Sequence, residues 1–265
     1  MSDRLRIVQA AAFPFPSPQG SQVFVRGMAR ALARRGHEVT VVCYAHGAGE
    51  VDEGYRVIRT PSIPGYANMR AGPDWVKPVL DLALAARIAG LPADVVHAHN
   101  YEAPIAAYLA RRGTGVPVVY NAHNTMGEEL PSYFDSPLTQ RLAGRVGRWL
   151  DGAVPRRADH AIALNQSAVR TLESLGCSAV SMVPPGIDAE ELDGVQPARL
   201  EPGPWVVYAG NPDRYQDLDV LIDAMRRIPE VGLLMVSASS LEEWRDCGLK
   251  RLKLVQTSTF EEVKS

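Results

Sequence analysis

The sequence predicts an α/β fold, parallel sheets covered by helices, laid out as one complete unit and the opening of a second. Three observations predict it. Short apolar runs suited to strands buried on both faces alternate with longer runs of helical period. The alternation proceeds without long hairpins. After a proline-punctuated stretch from Pro184 to Pro204, the same alternation restarts.

Taken in order, Leu5–Ala11 is the first strand. Ser21–Arg35 is the first helix, with Phe24, Met28, Ala31 and Leu32 along one face and Gly36 placed to cap it. Glu38–Cys43 and Tyr55–Thr60 are the next two strands. Val76–Ala89 is helical, with Val79, Leu80, Ala83, Leu84 and Ile88 at core spacing. Strands follow at Asp94–His99, Val116–Asn121, Asp159–Leu164 and Ser178–Val183, separated by helices over 103–112, 137–153 and 166–175. The predicted organisation is a first domain over 1–185, a linker over 186–204 and the first half of a second domain over 205–265. That second stretch reads as a strand at 205–210, a helix at 218–227, a strand at 231–236, a helix near 240–246 and a strand at 251–256, with another helix beginning near Phe260. A doubly wound domain usually needs roughly 100–150 residues to close its core, so a truncated second domain is expected.

Composition narrows the function. Apolar content of 46% and charged content of 22% are ordinary for a soluble globular protein, and a net charge of −2 gives no electrostatic case for nucleic acid. The three cysteines form no Cys-x-x-Cys pair, which points to reduced thiols in a cytosolic protein, Cys43 being read as a core thiol. Pro14 and Pro16 break the N-terminal apolar run, which reads as a strand and its loop rather than a leader, and no apolar run approaches a membrane span. The expected location is cytoplasmic, with peripheral contact at the inner face of the membrane as a further possibility.

Several segments carry chemistry. The loop from Pro14 to Ser21 joins the first strand to the first helix, where open α/β sheets bind ligands. Gly20 permits close backbone approach and the helix start offers free N–H groups to an anion; Ser21 fits equally as an N-cap in a plain turn. His97 and His99 share a face of one strand, His97 reading as a hydrogen-bonded interior residue and His99 with Asn100 as facing a cleft. With no third ligand at suitable spacing, metal is not expected. His123 and Asn124 end a buried strand, where polar groups are costly unless satisfied or used. His123 is either a cleft residue, able to hydrogen-bond a sugar hydroxyl or a carbonyl, or a structural turn residue. Glu128 and Glu129 fit a general base or a solvated loop. Arg141, Arg145 and Arg148 form a stripe, with Leu138, Leu142, Val146, Trp149 and Leu150 opposite. Such a helix rests on anionic lipid, contacts a phosphorylated acceptor, or packs on the sheet as an ordinary surface helix.

The order of these segments resembles the family 4 retaining glycosyltransferases, which have the GT-B architecture of two Rossmann-like domains. Four passages carry the resemblance: Gly20-Ser21 with Ala33-Arg34-Arg35-Gly36-His37-Glu38-Val39; Asp94 to His99; Ala158 to Asn165 with Val183-Pro184-Pro185-Gly186-Ile187-Asp188; and Val207 to Asn211 continuing to Leu221-Ile222-Asp223-Ala224. The resemblance implies a nucleoside-diphosphate sugar as donor, an unidentified glycan, lipid or small-molecule acceptor, retention of anomeric configuration, and no cofactor or metal. It implies Gly20 near the donor phosphates, His123 near the transferred sugar, and Gly210 opening the phosphate loop of the second domain. The family commonly carries Arg directly after the equivalent of Gly210 and Lys five residues later; here Asn211 and Gln216 stand there, with Arg214 between them as the remaining cation. The family's downstream Glu-x7-Glu region would lie beyond Ser265, so the isolated chain is expected to be inactive or crippled. Two other classes remain open: a non-catalytic binding protein or partner subunit of the same architecture, and a nucleotide-sugar epimerase.

Overall fold

The computed structural model describes residues 4–17, 19–45, 47, 53–64, 66, 72, 74–123, 125–189, 193, 199–212 and 216–257. The chain forms two compact units, the main division falling between Gly186 and Ile187.

The first unit runs β1 (Arg6–Pro14), α1 (Gly20–Arg34), β2 (Glu38–Tyr44), β3 (Arg56–Arg59), α2 (Lys77–Ala89), β4 (Val95–His99), α3 (Glu102–Arg111), β5 (Val118–Ala122), α4 (Met126–Glu129), α5 (Pro137–Ala153), β6 (His160–Ala163), α6 (Gln166–Ser174) and β7 (Val180–Met182). Among the described residues its seven strands are all parallel, in the order β3-β2-β1-β4-β5-β6-β7. The chain winds from β1 outward to β3 and then returns to place β4 on the other side of β1. That reversal makes a crevice beyond the carboxyl ends of β1 and β4, the usual ligand position in open α/β sheets.

Both faces of the sheet are covered, as the apolar runs require. Val25 and Ala29 of α1 pack with Ile7, Ala11, Phe13, Val41 and Cys43 on one face. Leu80, Leu84 and Ile88 of α2 and Ala103, Ala106 and Ala107 of α3 pack with Val8, Ala10, Val42, Val96 and Ala98 on the other. Burial pushes the Cys43 thiol up to about 12, as expected of a core residue. Gly36 ends α1 with φ of 90°, its N–H bonded to the Ala33 carbonyl, a left-handed cap that favours glycine.

Three helix faces differ from expectation. The buried stripe of α1 is Gln22, Val25 and Ala29, rotated away from Phe24 and Ala31. Val79 of α2 is exposed, Leu80, Leu84, Ala85 and Ile88 facing the core. The largest change is in α5, where Leu138 (76%), Leu142 (60%) and Trp149 (68%) are exposed, while Ala143, Gly144, Gly147 and Asp151 are buried. The reason is local: a Cβ on Gly147 would overlap the Met126 carbonyl, so the side of α5 made of small residues is the side α4 can approach.

The second unit carries β8 (Trp205–Ala209), α7 (Leu218–Arg226), β9 (Gly232–Ser237) and β10 (Leu252–Gln256) in a parallel sheet ordered β10-β9-β8. The helix expected near 240–246 is only a 3-10 turn at Glu242–Trp244. The further helix expected near Phe260 lies outside the described residues.

Candidate functional site

The site is built from the ends of β1, β4 and β5. Parallel register sets Gln9 beside His97, Ala11 beside His99, and His99 beside Asn121. These residues therefore share one sheet face, the face covered by α1. The His97 and His99 rings lie 4.5 Å apart. His99 is wholly buried, with Nε2 2.5 Å from Gln9 Oε1 and Nδ1 3.3 Å from His123 Nε2. Phe24 of α1 sets its ring edge-on to both imidazoles, 6.2 Å from His99 and 5.2 Å from His123. Gly20 lies one helical turn before Phe24, so the start of α1 is tied to the histidines through that contact.

Burial sets the electrostatics. It lowers His97 and His123 to about 4, with His123 adding to the effect on His97. His99 lies well below its usual value, first from burial and then from the two neighbouring imidazoles. At neutral pH all three rings are neutral. A neutral imidazole can hydrogen-bond a hydroxyl or a carbonyl and carries no charge. His97, expected to be hydrogen-bonded, is interior, but its Nε2 has no hydrogen-bond partner among the described residues.

Three residues past His123 the chain is anchored. The buried carboxylate of Asp151 accepts from Met126 N (2.7 Å), Gly127 N (2.8 Å) and Tyr101 OH (2.5 Å). An anion at the start of α4 satisfies its free N–H groups and pins the chain just after β5. Glu128 and Glu129, taken together as general base or solvated loop, belong to α4; Glu129 accepts from Tyr133 OH at 2.7 Å.

The remaining expected residues fall into place unevenly. Gly20 is the first residue of α1, exposed, with nothing within 4 Å of a Cβ built on it; Ser21 is half-buried beside it. Asn100 is half-buried in the turn before α3 with φ of 62°, a left-handed conformation that asparagine tolerates. In the second unit, the Gly210 N–H donates to the Val236 carbonyl and the Asn211 carbonyl accepts from Tyr208 OH at 2.7 Å. Asn211 Oδ1 also accepts from Ser239 OH at 3.4 Å, and Gln216 is exposed ahead of α7. Asn124 and Arg214 lie outside the described residues. Among the described residues no group of three His, Cys, Asp or Glu side chains is arranged to hold a metal ion.

Sequence reasoning missed Gln9, Phe24 as a site residue, and Asp151. Gln9 did carry a signal: it is the single polar side chain within Ile7-Val8-Gln9-Ala10-Ala11, and a buried polar group requires a partner.

Residues 18–191 match the family model described as Glycosyltransferase Family 4. The chain belongs to that family. A phosphatidyl-myo-inositol mannosyltransferase from Mycobacterium tuberculosis is 27% identical over 259 residues, covering 91% of this chain and 62% of the relative. The chain thus spans less than two thirds of that relative. Among solved structures, sucrose-phosphate synthase from Thermosynechococcus elongatus superposes with a TM-score of 0.76 at 18% identity, covering 98% of this chain and 72% of that one. Anabaena HepE in complex with UDP-glucose gives 0.62 at 16% identity, covering 97% and 70%. Both likenesses bear on the fold alone, and they make it GT-B-like, a Rossmann-like parallel-sheet unit followed by part of a second. Within this glycosyltransferase family chain, no described helix is long and apolar enough to cross a membrane.

Proposed function

We propose that the chain is the N-terminal portion of a retaining glycosyltransferase that moves a sugar from a nucleoside diphosphate to a hydroxyl acceptor without a metal. The observation that carries this reading is the neutral His99–His123 pair at the switch point of the first sheet, tied by Phe24 to the start of α1. A neutral imidazole suits a sugar hydroxyl, and the exposed N-terminus of a 15-residue helix suits a phosphate. The mycobacterial relative is named as a mannosyltransferase acting on phosphatidyl-myo-inositol, and HepE is described with UDP-glucose, which supports a nucleotide-sugar donor and a polyol or lipid acceptor.

In the polypeptide translated from the complete reading frame, His123→Ala lowers turnover about 10- to 100-fold with an unchanged fold. Turnover equal to the parent removes His123 from the mechanism. Nuclear magnetic resonance of the product reads the anomeric outcome, and inversion overturns the retaining assignment. Tight acceptor binding with no transfer by the complete polypeptide favours a non-catalytic binding protein instead.

The exposed face of α5 supports an anionic membrane as a further partner. Leu138, Leu142, Val146 and Trp149 form an outward apolar sector, and Arg141, Arg145 and Arg148 occupy the adjoining one. Side chains so arranged dip into an interface while cations meet lipid headgroups. Converting the three arginines to Gln removes roughly 1 kcal/mol of attraction each on phosphatidylserine vesicles. Sedimentation binding that does not change ends the membrane reading.

A further inference from the structure

We propose that Gln9 and His99 are positioning residues that fix His123 in its Nε2–H tautomer, so that its Nδ1 is presented as a hydrogen-bond acceptor. The assignment runs outward from the buried end. Gln9 is fully buried on β1, and its Oε1 lies 2.5 Å from His99 Nε2. A carbonyl oxygen only accepts, so the proton of that bond belongs to His99 Nε2. A neutral imidazole carries one N–H, which leaves His99 Nδ1 as a lone pair. His123 Nε2 faces that lone pair at 3.3 Å, so it carries the second proton. His123 is then left with an unprotonated Nδ1.

Neutrality is what makes each step follow from the last, because an imidazolium would donate from both nitrogens. The burial of His97, His99 and His123 supplies that neutrality. Packing holds the chain in line. The His97 ring lies 4.5 Å from His99, and the Phe24 ring makes T-shaped contacts with both His99 and His123. The result is a three-residue relay, Gln9 to His99 to His123, drawn from three different strands or strand ends of the sheet. It gives Gln9 a function in a strand where an apolar residue would otherwise pack.

The consequence for ligands rests on the glycosyltransferase reading: a hydroxyl meeting His123 Nδ1 donates its proton, and a group that only accepts is turned away. The tautomer itself does not rest on that reading and is measured without donor or acceptor. The experiment is two-bond ¹H–¹⁵N correlation spectroscopy on this chain with ¹⁵N-labelled histidine at neutral pH. The rings are assigned through His97→Gln, His99→Gln and His123→Gln. The expected result is Nε2–H for both His99 and His123 in the parent, and growth of the Nδ1–H form at both in Gln9→Met, which keeps the length of the side chain and removes its acceptor. An Nδ1–H signal or an imidazolium at His123 in the parent overturns the proposal whether or not any variant folds. A folded Gln9→Met with both tautomers unchanged overturns the role of Gln9. A complete enzyme without transferase activity overturns the functional reading and leaves these spectra standing.

Discussion

The two units share one rule of construction and differ in how far they carry it. In the first, β1 is buried from Ile7 through Phe13 and β2 from Val39 through Tyr44, with helices packed on both faces. In the second, Val206 and Tyr208 of β8 face Leu218, Ile222 and Met225 of α7, while Val207 is 58% exposed and Ala209 is open as well. The difference decides what chemistry each unit supports. Polar groups sunk between a sheet and a helix are held uncharged and work as oriented hydrogen-bonding groups, as Gln9 and His99 do. The exposed Gly210 and half-buried Asn211 stand at the end of a partly covered strand, open to solvent.

The sharpest way to break this comparison is to remove the anchor of the first unit. Asp151→Ala removes the buried carboxylate that accepts from Met126 N, Gly127 N and Tyr101 OH and is expected to cost about 3 kcal/mol or more, read as a urea midpoint. A loss within about 0.5 kcal/mol would mean that solvent replaces the carboxylate and that the region is far more open than its burial indicates.

Acid provides the next test. The unfolded chain binds protons on His97 and His123 below 6.5, whereas the folded chain waits until about 4. Between those values the unfolded state holds more protons, so stability falls as pH falls, by up to about 1.4 kcal/mol per pH unit for each group. Asp81 acts in the opposite sense: burial pushes it up to about 6 from 3.8, so the folded state binds its proton first and gains from acid. Asp81→Asn is therefore expected to steepen the acid loss. Amide exchange followed from pH 7 to 4 is expected to rise in β4 and β5 before β9; the reverse order contradicts the assignment of the acid-sensitive groups to the first unit.

The smallest effect belongs to the second unit. Asp217 precedes α7 with φ of 48° and makes no side-chain cap bond. Asp217→Gly removes the left-handed cost and is expected to raise thermal stability by some tenths of a kcal/mol, up to about 1. A clear loss of stability would show that the aspartate holds the turn in a way its cap geometry does not reveal.

Much of this molecule was legible in its sequence. Strand positions were read to within a few residues, and α5 matched its expected span, because short apolar runs bounded by Gly, Pro and polar residues leave few alternatives. His99 and His123 were read as cleft candidates because they stand where strands end, which is where this architecture places ligands. The inward sides of α1 and α5 were not legible. Hydrophobic period locates an apolar side, whereas the approach of a neighbour decides which side is buried, and at Gly147 that neighbour is a backbone carbonyl. Gln9 and Asp151 were missed for a related reason: a lone polar residue announces a need for partners without naming them, and theirs come from residues 90 and as few as 24 positions away.

The glycine-lined contact of α5 has a consequence beyond packing. Asp151 apart, a helix that meets its neighbours through Ala143, Gly144 and Gly147 commits almost no side-chain shape to the interior. Its outer side chains are then answerable to whatever they touch and hardly at all to the fold. Selection can rewrite one side of the helix, exchanging one target surface for another, while the other side goes on telling the chain how to close.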